Sequence, residues 1–203
     1  MHDEDSLAKA LANVPVRELQ ATLVRRVPLG PLVESPVPDF LFTSGKAYRY
    51  NTRGIHCVYF AEDERTAVAE YERHNVSRHQ PFVTYFAEVV LKRIIDLCST
   101  ETVKALGLKP RDLRAPWVGA RRPTVTQLLG KALNSISVAA AIRFPSEAAR
   151  AQRFTGANVV VFHDCVRRPD FVRILGPTKK PLQRWPHYAS STSTSAKRSL
   201  SPF

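Results

Sequence analysis

Short runs of β-forming residues, broken by a few helical stretches, constrain this chain more than any other feature. Ala21 to Val27, Ile55 to Phe60, Phe82 to Leu91, Ile94 to Cys98, Val138 to Phe144, Asn158 to Phe162 and Phe171 to Leu175 all read as strands. The helical stretches are as short. Asp5 to Asn13 is ended by Pro15, and Thr100 to Leu106 is stopped by Gly107. Asp63 is placed to cap a helix running to about His74, with Glu62 and Glu64 near its positive end. Pro123 opens a further helix through Asn134, with Val125, Leu128, Leu129 and Ala132 along one face. Strands outnumber helices, and the helices fall between strand groups. That order predicts an α+β domain in which short helices flank a bent, split, mostly antiparallel sheet.

A chain of 203 residues, 44% of them apolar, can bury a core without disulfides or metal. Residues 1–20 are read as a helical lead-in, 21–176 as the main domain, and 177–203 as a basic, Ser/Thr-rich tail, disordered from about 189. Lys+Arg 30 against Asp+Glu 18 gives a net charge of +12. Of this, +7 falls between Arg167 and Phe203, where Asp170 is the one acid. A charge run of this kind is usually a solvated face, and a nucleic-acid or acidic-protein contact is the alternative. Proline-rich 28–39 is a loop, and Arg121-Arg122 and Lys179-Lys180 are solvated pairs in loops.

Several classes are excluded. No apolar run approaches the roughly 18–20 residues of a membrane span, and the acidic start Met1-His2-Asp3-Glu4-Asp5 lacks a signal-peptide layout. Cys57, Cys98 and Cys165 are odd in number and far apart, which suits reduced thiols in the cytoplasm. His74 and His79 lack metal-ligand spacing, so no metal is expected. Neither a GxGxxG nor a GxxxxGK[ST] phosphate loop is present, and no GxSxG elbow marks a serine hydrolase.

The stretch that carries chemistry runs from Tyr48-Arg49-Tyr50-Asn51 through Gly54 and Val58-Tyr59 to the helix bearing Glu70. Ala67, Val68 and Tyr71 form that helix's apolar stripe, and Glu70 projects from its edge, whereas Glu72 and Arg73 turn to solvent. A half-buried carboxylate is costly unless it is paired or used. A salt bridge to an arginine such as Arg49 or Arg53 is the structural alternative to a functional role.

These residues resemble the RES domain family, named for Arg, Glu and Ser. Its first landmark looks like Arg49-Tyr50-Asn51, Gly54, Val58-Tyr59, Ala67 and Glu70. A second resembles Thr126-Gln127-Leu128-Leu129-Gly130, and a third resembles Phe144-Pro145-Ser146 with Asn158-Val159-Val160-Val161-Phe162. Order and spacing agree across roughly residues 23–163. Two departures stand out: Ala47-Tyr48 replace glycines before the motif arginine, and Tyr50 replaces the commoner Trp.

The resemblance implies an ADP-ribosyltransferase-like fold that holds NAD as substrate, without a metal. It implies a toxin that degrades NAD or transfers ADP-ribose to protein, paired with an Xre-like helix-turn-helix antitoxin that blocks the cleft. A homo-oligomer or a toxin–antitoxin hetero-oligomer is the assembly to expect. Residue by residue, Glu70 and Arg49 match the family's glutamate and motif arginine, Tyr59 the strand tyrosine, and Ser146 the Pro-Ser serine. The first-strand arginine falls on Arg26 or Arg25, with Arg26 favoured, and the hydroxyl before the Gln on Thr124 or Thr126. Glu70 would stabilise an oxocarbenium-like ribose, Arg26 and Arg49 would clamp the phosphates, and Tyr59 or Tyr50 would stack on nicotinamide. Ser146 would orient through its hydroxyl, or simply cap the turn after Pro145, and Tyr59 could equally be core. A catalytically degenerate scaffold that binds nucleic acid or an acidic partner through the basic tail is the rival from another class.

Overall fold

The computed structural model of the chain describes residues 3–30, 41, 45–74, 81–176 and 181–186. Most of the loop expected at 28–39, His79, Lys179-Lys180 and the tail from 189 lie outside them.

The N-terminal helix α1 (Glu4–Leu11) is capped by Asp3, whose carboxylate accepts from the Ser6 amide, and it buries Leu7 and Leu11. Strand β1 (Arg17–Pro28) follows, then β2 (Cys57–Ala61) and helix α2 (Glu64–His74). Next come β3 (Phe82–Asp96), α3 (Thr100–Ala105), α4 (Pro110–Arg114) and α5 (Val125–Ile136). The chain continues through β4 (Ala141–Pro145), α6 (Glu147–Ala151), β5 (Ala157–Phe162), β6 (Phe171–Ile174) and β7 (Gln183–Trp185).

These strands form one sheet in the order β1-β2-β5-β4-β3-β6-β7, with β1 also pairing along β3. All the pairings are antiparallel except β3 with β4. The sheet is bent and split. One half holds β1, β3, β6 and β7, and the other β2, β5 and β4. Only the Val24–Ala61 pair joins β1 to β2, and a three-residue register joins β3 to β4. Ion pairs reinforce that second seam. Arg143 on β4 donates to Glu62 at 2.6 and 2.8 Å and to buried Asp96 on β3 at 3.1 Å, and Arg17 on β1 reaches Asp96 at 2.5 Å. Fully buried β5 runs between β2 and β4 at the centre of the second half, which is why it reads as an unbroken apolar run.

Several expectations need correction. Phe82 to Cys98 is a single strand that ends at Asp96 and not two. Charged Lys92-Arg93 suggest a break, but there β3 exchanges β6 for β4, and the freed Lys92 amide donates to Asp170 at 2.7 Å. The fourth expected helix starts at Val125, because Thr124 is its N-cap and leaves Pro123 outside. Five-residue α4 and α6 and three-residue β7 are too short to give a periodic signal. β7 also extends the sheet past residue 176 by pairing with β6. All three cysteines are free, and Cys57 and Cys165 are buried. No described helix is long and apolar enough to cross a membrane.

Candidate active site

Where β1 and β2 part beyond Val24–Ala61, a cleft of about 460 Å³ opens beneath α2. Glu70, Arg25, Arg26, Arg49, Tyr48 and Tyr59 line it, together with Trp117 and Asn158. The sequence separations are large, so the bend of the sheet is what brings these side chains together.

Glu70 is placed by a chain of local interactions. Asp63 starts α2 by accepting from the Thr66 amide at 2.7 Å and the Thr66 hydroxyl at 2.8 Å. Ala67 packs with Val24 and Ala61 against the sheet, and Glu70 then stands at the edge of the buried face. One carboxylate oxygen, Oε1, accepts from Ser146 Oγ at 2.7 Å and from Asn158 Nδ2 at 2.6 Å. Both donors are neutral and buried, at 2% and 7% exposure. Ser146 makes a second bond besides the one to Glu70. Its oxygen accepts from the Ala149 amide at 3.0 Å and caps α6, which directs its proton to Glu70. It does not itself line the cleft.

The arginines differ from one another. Arg26 Nε donates to Thr84 Oγ1 at 3.1 Å, and its guanidinium lies over the Phe82 ring at 4.1 Å. Arg49 Nη1 donates to the carbonyls of Leu113 and Ala115 at 2.9 and 3.3 Å, which ties the motif to the end of α4. Arg25 also lines the cleft, with no hydrogen bond or ion pair to a described residue. Arg73, read as solvent-facing, is exposed at the rim.

Tyr59 is both wall and core. Its hydroxyl accepts from the Tyr50 amide at 2.9 Å and donates to Asn51 Oδ1 at 3.0 Å, leaving the ring to the cleft. Burial pushes its phenol well above the ordinary tyrosine value. Tyr50 must be corrected as a stacking candidate. Its side chain is 1% exposed, packs on Phe144 at 4.3 Å between ring centres, and is absent from the cleft wall. Burial raises its phenol pKa as well.

Thr124 and Thr126 also lie off the wall. Thr124 forms a capping box with Gln127, and Gln127 Nε2 donates to the Tyr48 carbonyl at 2.9 Å. The helix start thus supports the motif backbone. Gly130 has a similar use, since a Cβ there would lie 1.7 Å from the Tyr50 carbonyl oxygen.

Sequence reasoning gave no role to Asn158, Tyr48 or Trp117. Asn158 opens an apolar strand and stands in the third landmark, but neither signal gave it a partner or a task. Tyr48 meets Tyr59 and Trp117 in tilted contacts, each 5.8 Å between ring centres. Glu147 also lines the cleft. Burial would raise its carboxyl, but the Arg150 hydrogen bond and the charges of Arg150, Arg114 and Arg49 outweigh this and hold it below the ordinary value.

No match is found among curated proteins. Among solved structures, the chain is similar to one in a crystal structure of the M. tuberculosis MbcT–MbcA toxin–antitoxin complex. The TM-score is 0.65 at 16% identity, over 85% of this chain and 90% of that one. At that identity the likeness speaks for the fold, an α+β arrangement of ADP-ribosyltransferase-like type. A family model described as the RES domain matches residues 33–184, and the chain therefore belongs to the RES domain family.

Proposed function

We propose that the cleft takes NAD as substrate and that Glu70 promotes cleavage of its nicotinamide–ribose bond. This is the activity of a RES-type toxin in the cytoplasm, restrained by an Xre-like antitoxin that covers the cleft. Membership of the RES family supports the reading, and so does the toxin–antitoxin complex that contains the similar fold.

The observation that carries it is the setting of Glu70. As the glycosidic bond breaks, the nicotinamide nitrogen keeps the electron pair and leaves neutral, and positive charge grows on the ribose. A carboxylate beside that sugar lowers the barrier, most of all when it is already oriented. Ser146 and Asn158 orient Glu70 through neutral donors. Water, phosphate or a protein side chain then bonds to the anomeric carbon and releases a proton to solvent.

The residues present suit the dinucleotide. Its pyrophosphate calls for planar two-pronged donors, and Arg25, Arg26 and Arg49 stand on the cleft wall. Arg25 is the phosphate clamp in this reading, because Arg26 and Arg49 already spend donors on the protein. Tyr59 contributes a ring face.

Purified protein free of antitoxin, incubated with NAD beside Glu70→Gln, tests the proposal through nicotinamide release. Turnover in the parent should fall by about 10²-fold or more in the variant. ADP-ribose, its 1-phosphate or labelled protein as co-product identifies the acceptor. No nicotinamide release by folded parent with any of the three acceptors would overturn the reading.

A further inference from the structure

Tyr48 and Trp117 stand at the cleft mouth and have no place in the chemistry above. Tyr48 is held rigidly. Its amide donates to the Asn51 carbonyl at 3.1 Å, and its carbonyl accepts from Gln127 Nε2 at 2.9 Å. Its ring remains 37% exposed, beside the indole of Trp117. Pro116 and Val118 flank that indole, and Val118 is 72% exposed. Tyr48, exposed and held by its backbone, and half-buried Trp117 beside it offer a stacking surface whose ordering cost is largely met by folding.

The flanking charge selects what stacks there. Arg49 follows Tyr48 directly, and Arg25 lines the same cleft without a partner among the described residues. Cationic side chains around an aromatic surface disfavour a cationic ring and favour a neutral ring that carries phosphate. Of the two rings of NAD, adenine is neutral and nicotinamide, as the intact pyridinium, is cationic. A stack on the pyridinium would also stabilise the ground state that cleavage must leave, whereas a stack on adenine binds substrate and transition state alike.

We propose that Tyr48 and Trp117 form a subsite for the adenine ring, with the adjoining phosphate directed to Arg25. The assignment rests on NAD as substrate, and it is tested by binding: ADP-ribose and AMP lack the bond to be cleaved, and nicotinamide mononucleotide, which keeps it, is titrated into the Glu70→Gln chain. Indole emission of the full chain is titrated with ADP-ribose, AMP and nicotinamide mononucleotide. Trp185, the other tryptophan, is stacked on His163 and is not part of the cleft wall, so Trp185→Phe should keep the response and Trp117→Phe should lose it.

ADP-ribose and AMP should quench Trp117 to saturation, and nicotinamide mononucleotide should not. Tyr48→Ala should weaken ADP-ribose roughly tenfold, and Tyr48→Phe should bind as the parent does. In turnover, the Tyr48→Ala loss should fall on KM and not kcat. A response to nicotinamide mononucleotide but not to AMP would overturn the subsite, as would a KM for NAD unchanged by Tyr48→Ala. Binding of ADP-ribose without any NAD cleavage would instead defeat the proposed reaction and leave the subsite standing.

Discussion

The two walls of the cleft are built on opposite plans. On the Glu70 wall, polar groups are matched inside the protein: Asp63 with Thr66, Ser146 with both the Ala149 amide and Glu70, and Asn158 with Glu70. On the facing wall, Tyr48 is tied down by its backbone and Arg49 by its guanidinium, but other side chains stay available. Arg49 and Tyr48 are anchored through carbonyls and amides, while the Tyr48 ring, Trp117 and Arg25 face the opening. The difference teaches a division of labour. A group that stabilises charge must be oriented before the substrate arrives, whereas groups that grip a ligand must keep donors and ring faces uncommitted.

Each wall is seated by one glycine, and altering these gives the largest expected effect. A Cβ on Gly130 would meet the Tyr50 carbonyl oxygen at 1.7 Å, so α5 or the motif backbone would have to move. A Cβ on Gly156 would meet Thr66 Oγ1 at 2.3 Å and the Ala149 side chain at 2.9 Å. The Thr66 hydroxyl can rotate away, at the expense of its bond to Asp63. Gly130→Ala should therefore cost about 3 kcal/mol or more, even after the roughly 1 kcal/mol that alanine adds to a helix. Gly156→Ala should cost about 1–2 kcal/mol. Urea unfolding of the two variants checks the ranking, and equal losses would mean that the walls are seated equally firmly.

The same contrast explains what was legible in the sequence. Helix α2 and the edge position of Glu70 could be read because a cap, a periodic stripe and a misplaced acid are local signals. Gly130 stood in a recognisable motif, but the close approach to Tyr50 that requires it is a tertiary fact. Asn158 is 88 residues from Glu70, and no local pattern ties the two together. Tyr50 looked like a binding residue because it follows Arg49, yet its ring turns into the core on Phe144. Tyr48 and Trp117 lie outside the regular elements, where periodicity has nothing to say. Strand alternation shows that Arg25 and Arg26 point to opposite faces of β1. It cannot show that the sheet bends there so that both reach one cleft.

Those two arginines sharpen the comparison further. Arg25→Ala removes a cation with no described partner, so it should raise the Kd for ADP-ribose about tenfold and leave stability nearly unchanged. Arg26→Ala breaks the Thr84 bond and the Phe82 contact, so it should lower stability by about 1 kcal/mol with a smaller effect on affinity. Calorimetric binding and thermal unfolding of both variants separate the two roles. The reverse pattern would return the clamp to Arg26.

The smallest effect concerns a contact that spans the two walls. Glu147 follows Ser146 at the start of α6, pairs with Arg150 at 2.6 Å and reaches Arg114 of α4 at 3.5 Å. Helix α4 is also where Arg49 is anchored. The folded carboxyl titrates below the ordinary 4.5 despite its burial, because Arg150 and Arg114 favour its charged form. The folded state thus holds the proton less tightly than the unfolded chain does. Its contribution is present in full above about 4.5, and it is lost as pH falls through the lower folded value. Because both arginines are largely exposed, the contribution is no more than about 1 kcal/mol. Parent and Glu147→Gln should differ in melting temperature by a few degrees at pH 6 and converge toward pH 3. A gap that stays constant over that range would show that Glu147 acts through shape and not charge, and the ion pair would then not couple the walls.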